Sequence, residues 1–217
     1  MNFYLVSAIS FSIFLPGALA LLFFQKTERS FYPFVFCLWL GCLNEILSFA
    51  LSMNHYPTLV NSNVYVLVES IFLTWFFYKI ETIETRRIFI GIVFTLVAAW
   101  LLENFVFRSI FVNSTYFRIY ASMVIVFLSI QQVNKTIFSY KKSLYRNAVF
   151  ILCICFIIYF VYKALLQSFL IYGWTRNLNF LVKVYNIMLY INLGVNLLYA
   201  LAVLWIPKRA KYTLPSL

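Results

Sequence analysis

The sequence predicts an all-α, polytopic membrane protein: a seven-transmembrane-helix bundle with its N-terminus outside and its C-terminus cytoplasmic. Three observations predict it. Of the 217 residues, 64% are hydrophobic and 21% aromatic against 11% charged, for a mean hydropathy of +0.90, whereas a soluble domain is nearer half apolar and a quarter charged. The apolar residues fall in blocks of about twenty, the length that crosses a bilayer as a helix. The basic residues, finally, collect in alternate loops. Strands are excluded, because an open sheet edge in lipid leaves backbone groups unpaired and the blocks lack the alternation of a barrel.

The blocks run 4–24, 32–53, 62–79, 88–107, 112–133, 146–168 and 182–206. The first carries Pro16, which kinks rather than breaks a membrane helix. Its Ala18-Leu19-Ala20 has the small-x-small form of a cleavage site. No base precedes the run, however, and Leu21-Leu22-Phe23-Phe24 carries it past that point, so a retained helix is expected. The second block places Gly41, Glu45, Ser48 and Ser52 at i, i+4, i+7 and i+11, one small and polar stripe down a face, with Asn44 beside it. The third offers Ser62, Tyr65 and Glu69, and the fourth Gly91, Thr95, Ala99 and Glu103. The fifth aligns Arg118, Ser122, Ser129 and Gln132, and the sixth Tyr159, Lys163 and Gln167. The seventh offers Tyr185, Asn192, Asn196 and Tyr199, with Lys183 at its mouth. The segment 169–181, aromatic and polar, suits the membrane interface or a partial lid. No repeat or linker divides the chain, so residues 1–217 form a single integral membrane domain.

Orientation follows from the bases. Lys26, Arg29, Lys79, Arg86, Arg87, Lys135, Lys141, Lys142, Arg146, Lys208, Arg209 and Lys211 all lie in the first, third and fifth loops or the C-terminal tail, whereas the opposite loops hold only Arg108 and Arg176. The positive-inside rule makes the basic side cytoplasmic. The net charge of +11 is then a product of topology. No basic loop is long enough to fold into a binding module, and no nucleic-acid partner is expected. Attraction to the anionic headgroups of the lipid bilayer is.

There is no Asp, and of the six acids Glu45, Glu69 and Glu103 fall within blocks, as do the bases Arg118 and Lys163, with Lys183 at an edge. Each such charge costs about 2.5 to 3.5 kcal/mol on insertion scales, so each should face the interior, pair, or reach water. At 1.5 Å per residue Glu45 and Glu69 both lie roughly 10 to 12 Å below the outer surface. The expected site is therefore one polar cavity open to the outside, built from Glu45, Glu69, Glu103, Arg118, Lys163, Lys183, Asn44, Tyr65 and Tyr159.

Catalytic and cofactor chemistry is poorly represented. Cys153 and Cys155 point about 200° apart on a helix and cannot share a metal. His55, the only histidine, cannot build a multi-histidine zinc site, and no Gly-x-Ser-x-Gly or His-Glu-x-x-His motif occurs. No metal and no cofactor are expected, nor an enzyme. Retinal proteins share the topology but need a lysine deep in the last helix, absent between Val184 and Pro207. The signatures of eukaryotic seven-span receptors are missing too: no Asp/Glu-Arg-Tyr ends the third helix and no Asn-Pro precedes a Tyr in the seventh. The bias to Phe, Ile, Tyr and Lys resembles small bacterial inner-membrane proteins. The expected function is a receptor or sensor for a small polar or zwitterionic ligand, signalling to a membrane or cytoplasmic protein partner that docks on the basic loops, especially Lys135 to Arg146. The alternatives are a small proton- or cation-coupled transporter and a non-catalytic subunit or assembly factor of a membrane complex.

Overall fold

A chain this apolar must satisfy its backbone hydrogen bonds internally, and the helix does so within one segment. The computed structural model describes residues 7, 9–139, 144–171 and 178–207, and among them there is no strand. Seven helices follow in order: α1 (Phe14–Phe23, extended by 3-10 turns at Phe11–Ile13 and Phe24–Lys26), α2 (Tyr32–Met53), α3 (Leu59–Lys79), α4 (Arg86–Leu101, continued as a π-helix over Leu102–Phe107), α5 (Thr115–Ser139), α6 (Ala148–Ile171) and α7 (Leu178–Trp205). Each packs on its neighbours in sequence, α7 closes back onto α1, and α3 also touches α5. The result is a ring with α3 reaching across it.

Six helical segments are long and apolar enough to cross a membrane: Arg29–Met53, Leu59–Lys79, Arg86–Phe107, Thr115–Phe138, Ala148–Ile171 and Val182–Trp205. The chain is thus a multi-pass membrane protein. Its outer faces agree, since Leu22, Phe94 and Phe127 are 75%, 70% and 69% exposed, as lipid allows and water would not in such number. The described part of the first segment, Phe11–Lys26, is shorter than the other six, and the expected span 4–24 begins in residues outside the description. Pro16 is the third residue of α1, directly after the 3-10 turn, and helical backbone continues through it, as membrane helices tolerate.

Several boundaries move where polar residues remain helical. α3 starts at Leu59 rather than 62, because Asn61 and Asn63 spend their side-chain amides on other elements. α5 continues to Ser139 rather than 133, since Gln132 accepts from Thr82 Oγ1 at 2.8 Å and Lys135 donates to the Glu81 carbonyl at 2.8 Å. α6 reaches Ile171 and α7 begins at Leu178, so the expected interfacial segment 169–181 is helical where it is described. Residues 172–177, Lys141, Lys142 and the tail bases lie outside the description.

Between the helices lies an aromatic plug. Phe34, Phe76 and Phe156, each buried, pack with Tyr199 at ring-centre distances of 5.4 to 6.2 Å. It fills the half of the bundle nearer the basic end, the end that carries Lys79, Arg86, Lys135 and Arg146. Close approach of α1 to α2 depends on two glycines. A Cβ on Gly17 would lie 2.6 Å from Cys42 Sγ, and one on Gly41 would run into Ile13 Cδ1.

Candidate functional site

Glu69 occupies the midpoint of α3, about 15 Å from either end at 1.5 Å per residue. That is deeper than the sequence-based depth, because the helix starts a turn earlier. Lys163, eight residues before the end of α6, places its Nζ 2.8 Å from Glu69 Oε2, and both side chains are 8% exposed. Tyr65, one turn earlier on α3, donates to Glu69 Oε1 at 3.0 Å, so both carboxylate oxygens are occupied. The ammonium also lies 5.3 Å from the Tyr159 ring centre and 5.0 Å from that of Phe160, within cation–π range. In so apolar a setting the attraction is strong but the desolvation cost is large, and removing either partner leaves an uncompensated charge.

Beside the pair is a cavity of about 50 Å³, to which Tyr65, Glu69, Tyr159, Asn192, Asn196 and Tyr199 contribute. A water needs ~10–15 Å³ by this measure, so the space holds a few waters and no organic ligand. The Asn196 amide donates to Ser12 Oγ at 2.8 Å, which ties this wall to the start of α1.

One to two turns toward the opposite end, Arg118 from α5 donates through one terminal nitrogen to Ser62 Oγ at 2.8 Å and Asn63 Oδ1 at 3.0 Å. It is buried with no carboxylate within 4.0 Å among the described residues, and its Nε has no partner there. Asn63 is the hub of this level. Its amide donates to the Ile110 and Val112 carbonyls, its Oδ1 accepts from Ser114 Oγ and the Ser114 amide, and its carbonyl accepts from Trp100 Nε1. Asn113 in turn donates to Gln167 at 2.9 Å. Glu103 does something different. The π-helix turns both Glu103 and Asn104 inward, and the carboxylate accepts from the Tyr116 amide at 3.1 Å and from the Phe117 amide. It therefore caps the N-terminus of α5, where a negative charge also meets the positive end of the helix dipole.

Glu45 lies elsewhere. With Ser48 and Ser52 it lines a cavity of about 190 Å³ near the end opposite the bases, completed by Ser7, Ser10, Phe11, Phe49 and Thr58. Asn44 accepts from Asn61 Nδ2 at 3.0 Å, and Ser48 accepts from the same amide at 2.9 Å. Among the described residues Glu45 has neither a hydrogen bond nor an ion pair. Lys183 is exposed.

The expected single pit is therefore divided. Glu69, Lys163, Tyr65 and Tyr159 come together in the centre, and Arg118 sits above them. Glu103 is sealed by the α5 amides, Glu45 faces the cleft between α1 and the α2–α3 corner, Asn44 is bonded to Asn61 of α3, and Lys183 joins neither cavity. The physical reason is the first helix. Its opening turn inserts against α2, so that the stripe Glu45, Ser48, Ser52 meets Ser7 and Ser10 instead of the bundle axis. The 3-10 turn contributes Phe11 to one cavity and Ile13 to the other. The stripe on α4 likewise turns outward, with Gly91 and Thr95 exposed while Leu96 and Trp100 are buried. Sequence reasoning missed Asn63 and the serines of the first helix. The polar run Asn61-Ser62-Asn63 at the head of an apolar block was the available signal for the former.

At the basic end a third cavity, about 410 Å³, is lined by Glu28, Lys79, Glu81, Gln132, Arg146 and Trp205 among others. The four cysteines are free, and the described residues contain no group of three or more His, Cys, Asp or Glu able to hold a metal ion. No family model matches the sequence, and neither a curated protein nor a solved structure is significantly similar to it.

Proposed function

We propose that this chain is a seven-helix receptor or sensor of the bacterial cytoplasmic membrane, with the basic end inside and the span at 4–24 as its first crossing. A small polar ligand enters from the extracytoplasmic side at Glu45, and the signal passes by helix movement to a partner protein on the basic face. The observation that supports this best is the layering along one closed bundle. An open polar cavity at one end shares the turn Phe11–Ile13 with a smaller cavity at the centre, and the Glu69–Lys163 pair in that centre joins α3 to α6 above the aromatic plug. A buried ion pair between two helices is a suitable two-state element, since it is either made or broken. A ligand biases such an element by as much as its affinity for the two states differs. No catalytic step and no cofactor belong to this reading.

One observation favours a second reading. The water-sized space beside Glu69 suits a proton-coupled transporter, although α3 and α6 run unbroken past the pair, whereas transport sites are typically built on discontinuous helices. The experiment that separates the readings uses the full chain in lipid, with and without Glu69→Gln. A receptor predicts no Glu69-dependent proton flux in proteoliposomes, together with faster hydrogen exchange at the basic end (residues 79–86 and 144–147) in the variant. Glu69-dependent flux overturns it in favour of transport. Stable co-purification with another membrane protein, indifferent to both Glu45→Gln and Glu69→Gln and without any change in exchange, overturns it in favour of a subunit.

A further inference from the structure

We propose that the cavity at Glu45 binds a small organic cation through a primary ammonium group. The proposal rests on the receptor reading and narrows its ligand to one chemical class. Each of the other two intramembrane acids is already engaged: Glu69 by Lys163 and Tyr65, Glu103 by two backbone amides. Glu45 alone among them keeps both oxygens free of any described partner, and it lines an open cavity of its own.

The rest of the lining completes the requirement. An ammonium brings three donors and no acceptor, so it needs a counter-charge and further oxygen acceptors. Ser7, Ser10, Ser48, Ser52 and Thr58 supply hydroxyls around the one carboxylate, and no base is among the described lining residues, which disfavours an anion or a carboxylate-bearing zwitterion. Phe11 and Phe49, with ring centres 5.6 Å apart, form an aromatic wall of the kind that attracts cations. A single carboxylate is a poor cage for a divalent metal, which takes six or more oxygens and usually several acids. The space of about 190 Å³ is below the ~300–1,000 Å³ of drug-sized pockets, so the cation is a molecule of few heavy atoms. Such a ligand touches Ser10 and Phe11 directly. The next residue in the chain, Ser12, is held by Asn196 of α7, which gives binding a route to the central cavity.

The test is the thermal unfolding midpoint of the full chain in nanodiscs, titrated with 2-hydroxyethylammonium and methylammonium. Sodium at matched ionic strength, ethylene glycol and acetate serve as controls. A ligand that binds only the folded form raises the midpoint with concentration. The expected result is a rise with the two ammonium ions only, kept by Glu45→Asp and by Glu69→Gln, and weakened in apparent affinity by on the order of ten- to a hundredfold in Glu45→Gln. An equal rise in Glu45→Gln, an equal rise with sodium or acetate, or no rise with either ammonium ion overturns the proposal. The receptor reading fails separately. If the ammonium ions bind through Glu45 but leave hydrogen exchange at the basic end unchanged, the site stands and the signalling role falls.

Discussion

The α3–α6 seam and the α1–α2 cleft each hold one glutamate within an apolar helix, and the chain treats them in opposite ways. Glu69 has a lysine and a tyrosine hydroxyl on its carboxylate, the lysine has two aromatic rings beside it, and there is room left for a few waters. Glu45 has hydroxyl-bearing neighbours, open space and no bonded partner among the described residues. Depth does not separate them, since Glu45, eight residues from the end of α2, lies about 12 Å in and Glu69 about 15 Å. What separates them is whether the fold itself supplies the counter-charge. A charge neutralised from within serves the bundle, whereas one left without a partner beside a cavity is available to something that comes and goes.

The comparison is broken most severely at the pair. Lys163→Met should cost about 3 to 5 kcal/mol of stability, because the Glu69 carboxylate is left unpaired in the interior, and Glu69→Leu combined with Lys163→Met should recover most of it. A double-mutant cycle from unfolding in one detergent reads the coupling directly. If the single variant lost under about 1 kcal/mol, Glu69 would be as open as Glu45 and the contrast would vanish. An intermediate effect is expected from Glu103→Gln, about 1 kcal/mol. Its signature is local, with faster exchange of the Tyr116 and Phe117 amides. The smallest effect belongs to Glu45→Gln, which should stay within about 0.5 kcal/mol of the parent, since it removes no bond that the fold makes. A cost comparable to that of Lys163→Met would place Glu45 among the structural charges.

The helices were legible because apolar blocks of bilayer length admit one element, and α2 over 32–53 is found at the expected bounds. The inventory of buried charges was equally plain. Their pairing was not, for reasons visible in particular residues. Helical spacing tells which residues of one helix share a face, but not which neighbour that face meets, so the stripe on α2 was assigned to the axis although α1 covers it. Glu103 looks like a cavity acid in the sequence because its partners are backbone amides 13 and 14 residues on, and an amide has no side-chain identity to read. Asn63 was overlooked at the edge of a block, where a polar residue ordinarily meets solvent. Here it is fully buried and holds the 110–114 connection.

The bond between Asn196 and Ser12 joins residues 184 positions apart, and at the basic end of the same two helices the Glu28 amide donates to the Pro207 carbonyl at 3.2 Å. During synthesis at ~5–20 residues per second, the opening turn therefore waits on the order of ten to forty seconds for its stapling partner. Through that interval the nascent bundle has a seam exposing the Ser12 hydroxyl, the Glu28 amide and the wall of the central cavity. A chain cut short before Asn196 would leave the Ser12 hydroxyl and that wall of the central cavity uncovered. Closure of the bundle thus waits on the last of its helices to be made.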